Sequence, residues 1–271
     1  MDTIEMVKNY YDNDVILEWE RLQKYYVEFE ITKRYFDRYI KQGNKVLDVG
    51  GGPGRYSLYL LNKGCNVTLV DLSPNNIKFA KHKAEEQHLE LKAVSGDARN
   101  ISSIVYDKFD HILLMGPLYH LLDETDRVNT INSCLSLLKP QGMLYIGFVS
   151  SHARIIYTLR DKPEKILNDS VMQEWEYFID GTDFSGDSFT KAFLINPKNV
   201  LPFMEQFDLD KTHFFSCESI LAPSMDFLKQ QPQGVIDKWL DFAEKVCEHE
   251  DLLSFAEHLM YIGRKKDSRS L

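Results

Sequence analysis

From residue 45 onward, short apolar runs alternate with stretches whose apolar residues recur every three or four positions. Lys45–Val49 (KVLDV), Asn66–Leu72 (NVTLVDL), Leu91–Val94, Asp110–Met115 (DHILLM) and Met143–Val149 (MLYIGFV) are runs rather than clean alternations. Such runs belong to strands covered on both faces, as in a parallel sheet lying between helices. Tyr56–Asn62 reads as a helix stopped by Gly64. Ser73-Pro74 opens another, with Ser as N-cap, Pro at the first helical position and Ile77, Ala80 and Ala84 on one face. Asp123 caps a third, whose Val128, Ile131, Leu135 and Leu138 step by 3, 4 and 3. Pro140-Gln141-Gly142 reads as a turn. This rhythm predicts an α/β fold with a doubly wound, mostly parallel sheet.

The flanks differ. Residues 1–41 read as helical, with Ile16, Leu17, Leu22, Tyr26, Val27 and Phe29 at mixed three-to-four spacing, so at least one face is buried. After residue 150 the pattern breaks. Residues 151–176 look helical and 177–190 are rich in turn residues and aromatics. A weaker α/β pattern then returns, with a helix over Pro197–Phe207, a strand over Thr212–Cys217, a helix over Gln233–His249 and a last strand over His258–Gly263. The organisation predicted is an N-terminal helical segment 1–41, a core 42–150, an insertion 151–195 after strand five, and a remainder 196–271 that brings the sheet to seven strands.

Composition narrows the function classes. The 271 residues are 44% hydrophobic and 27% charged, ordinary for a globular chain. Lys and Arg number 32 against 41 Asp and Glu, a net charge of −9, which disfavours broad contact with nucleic-acid phosphates. Cys65, Cys134, Cys217 and Cys247 form no CxxC pair and stand at no metal-ligand spacing, so reduced thiols and no metal are expected. Met1 is followed by Asp2 and Glu5 rather than a basic leader, and no apolar run approaches the roughly 18 residues of a membrane span. A cytoplasmic monomer or homodimer, with no membrane or nucleic-acid partner, is the expectation.

The most informative stretch is Asp48-Val49-Gly50-Gly51-Gly52-Pro53-Gly54, between a strand and a helix. Glycines at 50, 52 and 54 let the backbone turn tightly and approach a ligand. The dinucleotide fingerprint needs a further glycine where Arg55 stands, and a Walker loop needs Gly-Lys-Ser/Thr, so neither fits. The pattern is DxGxGxG. Asp71 ends the second strand 23 residues after Asp48, the usual separation for a carboxylate that grips a ribose diol. Gly96-Asp97-Ala98 follows the third strand, where a carboxylate can accept from an adenine amine. Gly116-Pro117-Leu118-Tyr119-His120 follows the fourth. All four lie at carboxyl ends of consecutive strands, where open α/β sheets bind ligands.

Together these motifs resemble the class I S-adenosylmethionine-dependent methyltransferases, in the small-molecule branch of bacterial type 11/25 methyltransferase domains. DVGGGPG, LVDLS and GDA resemble the family's glycine, ribose and adenine motifs, LMGPLYHL and LLKPQGMLYI its fourth and fifth strands, and HLMYIGRK its closing antiparallel strand. The family's base-modifying branches carry Asn/Asp-Pro-Pro-Tyr/Phe where GPLY stands here. The resemblance implies S-adenosylmethionine as cofactor, S-adenosylhomocysteine as product and a small-molecule acceptor. It implies that Asp48 and the amides around Gly50 and Gly52 hold the methionine end and that Asp71 takes the ribose hydroxyls. Leu72 and Ser73 would flank the adenine, with Asp97 and Ala98 at its edge, and Met115 would lie over the methionine portion beside Gly116 and Tyr119. In similar enzymes an N-terminal helix closes over the donor, so Tyr11 or Arg21 would meet its methionine portion, unless that helix is simply charged and salt-bridged.

Transfer from a sulfonium is an in-line displacement that needs a base only when the acceptor carries a proton. His120 is the candidate base, with a structural donor as the alternative. His152, Trp175 and Phe178 are candidate acceptor-site residues, on the expectation that 1–41 and 151–195 form a lid over the strand ends. A non-catalytic binder of the same nucleoside, or another transferase using a related donor, are the alternative functions.

Overall fold

The computed structural model describes residues 3–267, apart from the side chains of Glu174, Glu176, Tyr177 and Phe178. Seven strands form one sheet: β1 Lys45–Val49, β2 Asn66–Asp71, β3 Lys92–Ser95, β4 Phe109–Leu114, β5 Leu138–Val149, β8 Leu209–Ser216 and β9 His258–Lys265. Their order is β3-β2-β1-β4-β5-β9-β8; the first five are parallel, and β9 runs antiparallel between β5 and β8. A separate hairpin pairs β6 Phe184–Asp187 with β7 Lys191–Leu194.

The unbroken apolar runs are explained by two cores. Leu47, Val49, Ile112, Leu114, Leu144, Ile146, Leu259 and Tyr261 point to one face, under the helices Glu124–Leu137 and Pro197–Met204. Val46, Leu113, Tyr145, Met260 and Ile262 point to the other, with residues from the helices Tyr26–Tyr39 and Gln233–Val246. Side chains alternate across a strand, so burial on both faces removes any polar register.

The N-terminal segment divides into three helices, α1 Thr3–Asn13, α2 Val15–Lys24 and α3 Tyr26–Tyr39. Their roles differ. α3 belongs to the second core through Val27, Ile31, Tyr35 and Phe36, and Tyr35 stacks on Phe215 of β8 at 3.8 Å. α1 and α2 instead lie over the carboxyl ends of the strands. α4 (Arg55–Asn62) follows β1 and α5 (Pro74–Glu86) follows β2. The α5 start is as predicted, with Ser73 Oγ accepting from the Asn76 N–H.

Two local expectations are corrected. Pro140-Gln141-Gly142 does not end the strand. Pairing of β4 with β5 jumps from Phe109↔Leu138 to His111↔Met143, so the residues between bulge out while β5 continues across them, and Gln141 takes φ +60. Buried Phe109 and Leu138 hold the pairing on the near side of the bulge. Residues 177–190 are not all turn: the helix Asp169–Ile179 runs into them and β6 follows. The ends of the insertion meet, with Ser150 bridging Ile195 and the Ile195 and Ser151 N–H groups donating to Val149 and Ile195 carbonyls.

At the point where strand order reverses, β1 and β4 end against each other. A Cβ on Gly116 would fall 2.6 Å from the Gly50 carbonyl oxygen, a backbone atom that cannot swing away. Gly116→Ala is therefore expected to cost about 1–3 kcal/mol of stability, read as a lower urea midpoint with unchanged slope; an unchanged midpoint would contradict the close approach.

Candidate active site

β1 points its carboxyl end at the crevice between β2 and β4, and the chain must turn there without closing it. Gly50 and Gly52 do this at φ +70 and +56, values that L side chains rarely adopt. The turn presents the Gly52 N–H to Asp71 Oδ2 at 2.8 Å. Asp71 Oδ1 accepts from the Ser73 N–H at 2.9 Å and Asn76 Nδ2 at 3.1 Å. The carboxylate is thus locked in orientation at the tip of β2. Burial still pushes its pKa above the ordinary range, against these three donors.

Asp48 lies on the inner side of the loop, 2% exposed, accepting from Ser57 Oγ at 2.7 Å. Burial pushes its carboxyl up to about 7. Gly51 completes the packing, since a Cβ there would meet Asp48 Oδ2 at 2.4 Å. Asp97, past β3, is gripped by the Arg99 guanidinium through both oxygens at 2.6–3.2 Å, and Arg99 also reaches Asp126.

α1 and α2 close the cavity from above. Asp12 accepts from Ser73 Oγ, and Trp19 of α2 packs on Phe79 and under the Arg55 guanidinium, 4.5 Å from its ring centre. Arg21 is held by two carboxylates: Nε to Glu18 at 3.1 Å, and Nη1 and Nη2 to Glu28 at 2.8 and 3.2 Å. Tyr11 Oη lies 2.8 Å from His120 Nε2, while His120 Nδ1 lies 3.1 Å from the Lys191 carbonyl of β7. A carbonyl only accepts, so the proton sits on Nδ1 and Nε2 accepts from the tyrosine O–H. Burial pushes this imidazole down to about 4 and the Tyr11 phenol well up.

Of the residues singled out in the sequence, Asp48, Gly50, Gly52, Asp71, Leu72, Asp97, Ala98, Met115, Gly116, Tyr119, His120, Tyr11 and Arg21 line this one cavity. Gly54 and Ser73 stand behind the wall. Gly54 lets α4 approach α5, where a Cβ would lie 3.0 Å from that of Ala80, and Ser73 caps α5. His152 stands just before the helix Ala153–Asp161, its ring 3.4 Å from Ser150 Oγ, and Trp175 is half-buried in Asp169–Ile179; neither is among the residues lining the cavity. The Phe178 side chain lies outside the described residues. Sequence reasoning missed Ile4, Val7, Glu28 and Tyr56, which also line the cavity. Glu28 begins a new helix after the break at Tyr25, so no spacing along one helix linked it to Arg21.

Known proteins fit this geometry. Residues 46–142 match the family model of a methyltransferase domain. The matched stretch takes in the glycine turn, Asp71 and Asp97. It is 30% identical over 139 residues to a glycine/sarcosine N-methyltransferase of Parasynechococcus marenigrum, covering 50% of this chain and 49% of that one. It is 34% identical over 112 residues to a ubiquinone biosynthesis O-methyltransferase of Actinobacillus pleuropneumoniae, covering 40% and 47%. The chain thus spans about half the length of these curated relatives. Its fold is shared by a magnesium protoporphyrin IX methyltransferase from Synechocystis solved with bound S-adenosylhomocysteine, at TM-score 0.59, 14% identity, and coverage of 98% of this chain and 100% of that one. Among the described residues, no helix is long and apolar enough to cross a membrane.

Asp48 gives a test of the cavity's electrostatics. Its folded pKa of about 7 lies above the ordinary carboxylate value, so between pH 4 and 7 the folded state binds more protons than the unfolded. Stability therefore falls as pH rises through that window. Asp48→Asn is expected to stabilise the ligand-free protein by about 1–3 kcal/mol at pH 8 and by little at pH 4. Denaturation curves at both pH values check this, and equal stabilisation at the two would refute the assignment.

Proposed function

We propose that this chain transfers the methyl group of S-adenosylmethionine to a small-molecule acceptor, releasing S-adenosylhomocysteine. The observation that carries the reading is Asp71: a buried carboxylate, fixed by three donors at a strand tip, in the cavity that the glycine turn and Asp97 also line. Two vicinal hydroxyls match its two oxygens and would supply donors that offset its burial. Leu72 and Ala98 offer apolar surface for the adenine, with Asp97 at its edge. The glycine-turn backbone and Asp48 suit the methionine end, where a cationic ligand favours the ionised form of Asp48. The side chains therefore fit this cofactor.

When bound, the donor supplies a methyl group already activated on sulfur, so the chain's contribution is chiefly to position and to exclude water. α1 and α2 provide the cover, with Ile4, Val7 and Leu22 turned to the cavity. Together with the β6–β7 hairpin, whose Phe189 packs on His120, they form the proposed lid. Tyr11 and His120 form the acceptor-facing pair. His120 Nε2 holds the tyrosine proton, leaving the Tyr11 oxygen lone pairs to accept from an incoming hydroxyl or amine. An imidazole whose conjugate acid titrates near 4 is a poor proton sink at neutral pH. The pair therefore suits an acceptor that is nucleophilic without full prior deprotonation. Relatives named for nitrogen and for oxygen acceptors each match half of this chain or less, which is consistent with a shared donor site and differing acceptor sites.

Calorimetry with S-adenosylhomocysteine should show micromolar binding, weakened at least about tenfold in Asp71→Ala. No binding, or equal binding by the variant, would overturn the reading. With labelled donor and a metabolite extract, Tyr11→Phe and His120→Asn should each slow methyl transfer about 100-fold while holding donor affinity within about threefold. The wild-type rate should stay flat from pH 6 to 8, because His120 is already unprotonated there.

A further inference from the structure

Behind Arg21 the cavity wall continues into a buried ionic layer that the donor reading leaves unused. Glu28 of α3, which clamps Arg21, lies 3.6 Å through Oε2 from Nδ1 of His258, the first residue of β9. The same Nδ1 lies 2.5 Å from Glu218 Oε1, and the His258 backbone N–H donates to Glu218 Oε2 at 3.0 Å. Glu218 is fully buried and one-fifth of the His258 side chain reaches solvent. A deprotonated Nδ1 facing two carboxylates would be repelled by both, so the geometry calls for an N–H there.

We propose that His258 is a positioning residue for the donor pocket: by bridging Glu28 to Glu218 it fixes the carboxylate that holds the Arg21 guanidinium on the cavity wall. The inference rests on the methyltransferase reading and adds a determinant from β9, none of whose residues lines the cavity. Other charged groups shape this site. Arg21 of α2 opposes the charge on His258, the Tyr25 ring stands edge-on at 6.0 Å, and neighbouring Glu257 is bound by Arg160 of the helix Ala153–Asp161. The carboxylates win, raising the imidazole to about 9. Its contribution is present at neutral pH and is lost as pH rises through that value. Glu28, Glu218 and His258 could also be arranged around a divalent cation. The Arg21 guanidinium on Glu28 opposes that, and the ring N–H takes the cation's place.

The experiment compares S-adenosylhomocysteine affinity by calorimetry in the full-length wild type, His258→Gln and Glu218→Gln from pH 7 to 10, with melting temperatures recorded alongside. His258→Gln should bind about tenfold more weakly than wild type at pH 7, and the ratio should close toward one by pH 10. The ligand's own titration is common to both proteins and cancels. Glu218→Gln keeps the side-chain shape and loosens the proton, so its affinity should fall at a pH about one unit lower than wild type. If His258→Gln does not fold, this second variant carries the test. Ratios near one at pH 7, or a ratio independent of pH, would overturn the proposal. So would a rise in wild-type melting temperature with Mn2+ or Zn2+ alone that a chelator reverses. Failure of the wild type to bind at all would instead overturn the proposed function.

Discussion

The site is organised by the hydrogen bond from the Gly52 N–H to Asp71. It joins the turn after β1 to the end of β2, so two strand tips that are neighbours in the sheet become one surface. It requires positive φ at Gly52, which is why glycine stands there. The same carboxylate also accepts from the Ser73 N–H and Asn76, so the start of α5 is fixed by the same atoms. Asp12 then reaches Ser73 and Asn75 from α1, and the cover over the cavity is referenced to the same point.

Around this anchor the protein tolerates costly electrostatics. Asp48 and Asp71 are buried with raised pKa values, and His120 is buried with a lowered one. Each would be more stable in water. Such strain is typical of sites that stabilise a bound group rather than the empty fold. The second core offsets it with well-packed aromatics, such as the Tyr35–Phe215 stack and the edge contact of Phe36 with Tyr145.

Much of this was legible in the residues. β1, β2, β4 and β5 announced themselves because burial on both faces leaves an unbroken apolar run, and the donor motifs fall at the strand ends. The division of the N-terminal segment was not legible, because an amphipathic helix hides its stripe equally well against a sheet or over a cavity. α3 took the first course, α1 and α2 the second. Glu18 and Glu28 were hard to weigh for a related reason: carboxylates on a helix ordinarily face water, and only the arginine between them turns them inward. Pro140-Gln141-Gly142 misled because turn chemistry also serves a bulge when buried residues hold the pairing. Gly54 and Ser73 show that a motif residue can belong to the scaffold of a site rather than its wall. His152 and Trp175 were placed by position after β5, and neither is among the residues that line the cavity.

The meeting of Ser150 with Ile195 has a wider meaning. A segment whose entry and exit touch can be lengthened, shortened or exchanged as a graft, because the sheet beneath feels only two adjoining attachment points. Selection could then remodel what enters the pocket while leaving the nucleoside grip untouched, a division of labour that lets one ancestral scaffold diversify its chemistry.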